Sequence, residues 1–146
     1  MDPIASVLSD PARAGVYHLD RDPRTIAQAA TEAGLAAFRI DIGHAHDKED
    51  FLEDLKEALN FPDSVGSQWD ALAGALNDLS WIPGKGYVVI LEKSKHFCAS
   101  HRHEFEEAIN TLKEASTHWK SKGKPFWALV AGPEGWQSGY PVMPAP

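Results

Sequence analysis

"YVVILE", residues 87–92, is apolar at every position but the last, with β-branched residues at its centre. A strand with one wet face alternates apolar and polar residues. This run does not, which suits a strand covered on both faces or central in a sheet. Such a strand requires helices around it, and the flanking sequence supplies them. "GVYHL", 15–19, and "FWALV", 126–130, are two further β-prone runs, and in "AAFRIDI", 36–42, Phe38, Ile40 and Ile42 alternate with Arg39 and Asp41. Between them lie helical patterns. Asp22 followed by Pro23 is a helix start, Ile26, Ala29, Ala30 and Ala33 form its apolar stripe, and Gly34 ends it. Asp47 caps a helix at 48–59, with Phe51, Leu52, Leu55, Ala58 and Leu59 on one face. A helix at 67–81 follows, with Ser67 as its cap and Asp70 as the capping-box partner. "WIPGKG" is a turn, 93–102 reads as a short irregular stretch, and 103–122 is a long helix ended by Gly123 and Pro125. Its inward residues are Phe105, Ala108, Ile109, Leu112, Ala115 and Trp119. The order β-α-β-α-α-β-α-β predicts an α/β fold: a small parallel sheet with right-handed crossovers, packed by helices. The turn-rich end, 131–146, reads as a surface-hugging or loose tail.

The 146 residues are enough for one domain with a real core. No apolar run approaches the about 18 residues of a membrane span. The N-terminus has neither the basic start nor the apolar core of a secretory signal, and the lone Cys98 allows no internal disulfide. A cytoplasmic protein is the expectation. The net charge of −7 is concentrated: residues 41–80 hold ten acids against Lys48 and Lys56, a net of −8 that leaves the rest of the chain at +1. That segment repels nucleic acid and attracts basic proteins, although a solvated helix face carries the same signature.

Few residues suggest catalysis. The pairs His44/His46 and His101/His103 resemble fragments of a zinc site, but neither belongs to a ligand motif of known spacing. Cys98, between Phe97 and Ala99, reads as a small core residue rather than a nucleophile. "GKG" at 84–86 lacks the upstream glycine and the following Ser or Thr of a phosphate loop. No cofactor is implied, and the chain reads as a binder rather than an enzyme.

The stretch 61–81 is different. Asp70, Gly74 and Asp78 stand four residues apart on one helix face, with Asn77 beside them, and the loop "FPDSVGSQ" feeds into the start of that helix. Gly74 falls in mid-helix between Ala73 and Ala75, where it costs about 1 kcal/mol relative to alanine. Against a binding role, Asp70 is also a first-turn acid that suits the helix dipole, and Trp69 and Trp81 suit a core boundary.

"LNFPDSVGSQWDALAGALNDLSW" followed by "GYVVILE" resembles the barstar family of bacterial ribonuclease inhibitors. The resemblance covers residues 36–130, carried by the FP…G…WDAL…L motif. Residues 1–35 look like the N-terminal β-α extension of longer relatives, adding a fourth strand to the family's three, and 131–146 is a C-terminal tail. The resemblance implies an intracellular protein that places an acidic loop and helix in the cationic cleft of a nuclease. By position, the partner-binding face includes Ser64, Val65, Gly66, Gln68, Asp70, Ala73 and Gly74. The residues add Asp63, Trp69, Asn77 and Asp78 to that face. Three positions depart from the family pattern. Ala73 stands where the inhibitor has a tryptophan, Ser64 where it has a tyrosine, and Gly74 where it has the aspartate that mimics a phosphate. Two helix-end acids of the family fall near His118 and Lys122. The expected partner is a basic ribonuclease or other cationic toxin, with no nucleic acid and no membrane. The alternatives are an interaction module that keeps the fold without inhibiting a nuclease, and a metal-assisted hydrolase using the His-x-His pairs.

Overall fold

A computed structural model describes residues 3–63, 65–66 and 68–146. Four parallel strands, β1 (Val16–His18), β2 (Ala36–Asp41), β3 (Tyr87–Glu92) and β4 (Phe126–Val130), form one sheet in the order β1-β4-β3-β2. The apolar runs at β3 and β4 occupy the two central places, where both faces are buried.

Among the described residues six helices cover the sheet. α1 (Pro3–Leu8) and α2 (Pro23–Glu32) lie on one face, packing Leu8, Ile26 and Ala30 against Val88, Ile90, Trp127 and Leu129. The other face carries α3 (Lys48–Ala58), α4 (Trp69–Asp78), α5 (Lys95–Ser100) and α6 (Arg102–Ser121). There Phe51, Leu55, Leu76, Phe97, Phe105 and Leu112 meet Ile40, Val89, Leu91 and Ala128. The split follows from the period of two in a strand: alternate residues of β3 and β4 serve opposite layers.

Local signals set most helix ends. The Asp22 carboxylate accepts from the Arg24 amide with Pro23 as the first helical residue, and Asp47 accepts from the Asp50 amide while Asp50 accepts from the His46 amide. Gly34, at φ +82°, turns the chain out of α2. Three expectations change. The stretch 93–102 is not irregular, since it contains the six-residue helix α5, which buries Phe97 and Cys98. The N-terminal helix α1 is additional to the expected elements. α4 is shorter than 67–81: Gln68 precedes its first residue without a side-chain cap, and Leu79 in the left-handed region (φ 47°) ends it. Ser67, the expected cap, lies outside the described residues. The tail hugs the surface, with Met143 buried and Val142 bridged to His18 beside β1.

Candidate functional site

α4 lies between α3 and α6, and three tryptophan contacts fix it there. The Trp119 indole on α6 donates to the Leu76 carbonyl at 2.7 Å, supplying a partner to a last-turn carbonyl. The Trp81 indole donates to the Leu59 carbonyl at the end of α3 at 2.9 Å and packs edge-on against Phe61. Trp69 opens α4 against Phe51, its ring centroid 6.4 Å away, with the Lys48 ammonium over its ring at 5.7 Å. Trp69 and Trp81 are therefore half-buried boundary residues that anchor the helix.

Leu72, Ala75 and Leu76 face inward, which leaves a continuous outer face. Asp70, Gly74, Asn77 and Asp78 are exposed along it, and Ala73 is half-buried. Nothing approaches within 4 Å of where a Cβ on Gly74 would stand. In the preceding loop Asp63, Gly66 and Gln68 are exposed, while Val65 packs its side chain on the core and donates its amide to the Pro62 carbonyl. Ser64 lies outside the described residues. The described part of the expected face is thus one loop and one helix side.

The charges around this face are mixed. Asp78 accepts from the Ser80 hydroxyl at 3.2 Å, and burial first, then the Asp78 charge, pushes the Tyr87 phenol up. Beside them the end of α6 carries His118, edge-on to Trp119 at 5.2 Å, and the exposed Lys122. Lys124 sits over the rings of Trp119 and Tyr87 at 5.6 and 5.8 Å. On the other flank α3 turns Asp50, Glu53 and Glu57 to solvent. The face is acidic toward α3 and cationic toward the end of α6.

The histidine pairs form no site with it. His44 and His46 are exposed after β2, and His101 precedes α6, stacked on Phe97. His103 pairs with Glu107 at 2.7 Å. Among the described residues no three His, Cys, Asp or Glu side chains are grouped to hold a metal ion. Cys98 is buried, its Sγ accepting from the Arg102 guanidinium at 3.0 Å. None of the helices described is long and apolar enough to cross a membrane.

Comparison with known proteins bears on the same segment. No curated protein matches the chain. Among solved structures, the Aeropyrum pernix ORC2 protein, in ADPNP–ADP complexes, is similar with a TM-score of 0.52 at 13% identity. The likeness covers 82% of this chain but 35% of that one, and it is a likeness of fold alone. The family profile described as Barstar (barnase inhibitor) matches residues 35–131, which run from the start of β2 through the end of β4 and include the whole loop–helix face. With that match over about two thirds of its length, and with the strand, helix-pair, strand, helix-pair, strand order of β2 to β4, the chain belongs to the barstar family.

Proposed function

We propose that this protein inhibits, or confers immunity to, a basic ribonuclease or other cationic nuclease toxin inside the cell that makes it. In this reading the partner docks on the loop and helix from Asp63 to Asp78. The observation that carries it is the exposed row Asp70, Gly74, Asn77 and Asp78 on α4, within the segment matched by the family. Asp70 and Asp78 pair with cations of the partner, Trp69 and Val65 stiffen the surface beneath, and the acids of α3 speed encounter. The inhibitor needs no cofactor, and nothing in this role calls for a catalytic residue.

Gly74 supports a second reading, an interaction module that no longer inhibits a nuclease. A desolvated charge at the centre of an interface can carry several kcal/mol, so its absence weakens binding by orders of magnitude. His118 and Lys122 at the rim act in the same direction.

The test is inhibition of a barnase-type ribonuclease at low and moderate salt by the native chain and by Gly74→Asp. Native protein is expected to inhibit weakly, Gly74→Asp more strongly, and salt to weaken both because it screens the encounter. Equal tight inhibition by both would transfer the central role to Asp70 and Asp78. Absence of binding by either would favour the interaction module.

A further inference from the structure

The four strands all end on one side of the molecule, and there the chain divides. β1 feeds α2 on one face, whereas β2 and β3 feed α3 and α5 on the other. Connections that diverge in this way leave a crevice outside the carboxyl ends of a parallel sheet, the usual ligand position in open α/β folds. Here the crevice has a volume of about 810 Å³, within the range of small-molecule sites. Every strand contributes to it: Pro23 follows β1, Gly43 follows β2, Lys93 follows β3 and Gly132 follows β4. None of its lining residues belongs to the loop–helix face at 61–81.

The rim acids are already neutralised. Glu92 accepts from the Arg39 guanidinium at 2.6 and 3.0 Å. Asp41 accepts from the Gly43 amide at 2.8 Å and pairs with Lys93 at 3.0 Å, and these two contacts, in that order, hold its carboxyl below the ordinary range. The packing at Gly43 is tight: a Cβ there would lie 3.0 Å from the Asp41 carboxylate and 3.1 Å from the Lys93 side chain, so one of them would have to shift by a few tenths of an ångström. Lys95 and His96, on α5, have no anionic partner among the described residues. The remaining walls are Pro23, Ala99, Ala131 and Pro133, with no polar side-chain atom. The crevice therefore combines apolar walls with an uncompensated cation, in a chain whose net charge is −7.

We infer that this crevice is a second binding site, for a small organic carboxylate with an apolar body. Lys95 pairs with the carboxylate, His96 borders it, and the alanine and proline walls take the alkyl or aryl part. A bare inorganic anion fits less well, since it would leave those walls wet. The site does not depend on the inhibitor reading, and a ligand there leaves the α4 face open.

The test uses the full chain and amide NMR, with benzoate and octanoate as probes against benzylamine and inorganic phosphate. The two carboxylates are expected to give saturable shifts confined to Gly43, Lys95, His96 and Gly132, with benzylamine and phosphate giving none. Ala99→Trp, at an exposed position, fills the crevice and abolishes the shifts. Lys95→Glu weakens them by about two- to five-fold, the range of a solvent-accessible ion pair. Lys85→Glu, at the opposite end of the strands, makes the same charge change and leaves them intact. Shifts spread over other surfaces, an equal response to benzylamine or phosphate, or no saturable response would overturn the proposal.

Discussion

Gly74 is the residue at which helix propensity and the sequence disagree. An exposed mid-helix glycine gives up about 1 kcal/mol to alanine, and no atom lies near enough to exclude a methyl group. Gly74→Ala is expected to raise stability by about 0.5–1 kcal/mol, read from the urea midpoint at unchanged slope. A loss of stability would mean that the helix is not regular at this position. Other single residues were legible because their chemistry is local: Asp22 and Asp47 form the caps their positions announce, and Gly34 and Gly123 both take positive φ at helix ends. Indole partners were not legible. Trp81, Trp119 and Trp127 donate to the carbonyls of Leu59, Leu76 and Leu8, each at or near the end of a helix. Those pairings join residues 22, 43 and 119 positions apart, which no spacing rule reaches.

α3 shows how an element carries charge at some cost. Burial first, then the charges of Asp50 and Glu57, raises the Asp54 carboxyl above its ordinary value of 3.8. The native state thus holds that proton more tightly than the unfolded chain, and ionised Asp54 lowers stability at neutral pH. Asp54→Asn is expected to stabilise the protein at pH 7. The gain should shrink as pH falls through the raised value and vanish below 3.8, followed by thermal denaturation across pH 3–7. A gain independent of pH would assign the effect to packing. The long amphipathic elements, α2, α3 and α6, were legible from their stripes, whereas α1 and α5 were not. Each has six residues, under two turns, so no period can repeat. α5 forms because Phe97 and Cys98 are drawn into the core, with Ser94 buried and donating to the Leu91 carbonyl. The loop–helix face was legible as residues, but the cationic flank at Lys124 arises from packing between distant segments.

At the scale of the whole molecule, the sheet has two covered faces, and the N-terminal segment supplies one cover. A chain beginning at residue 36 would lack α1, β1 and α2, and would expose Val88, Ile90, Trp127 and Leu129 as one apolar patch. Such a chain is expected to associate or aggregate, seen by size-exclusion chromatography and dye binding. A well-behaved monomer with cooperative unfolding would show that residues 1–35 are dispensable. The parallel α/β class was legible from the order of elements, but the order of strands was not, because nothing in β1 names β4 as its neighbour. That neighbour has a consequence in time. Val16 sits beside Ala128, so the first of the four described strands to be made pairs with the last of them. At about 5–20 residues per second, more than a hundred intervening residues take on the order of ten seconds to synthesise. Throughout that interval β1 waits without its partner, while β2, α3, α4 and β3 are made in turn. The segment carrying Asp70 and Gly74 is therefore synthesised before the strand that lets β1 join the sheet exists.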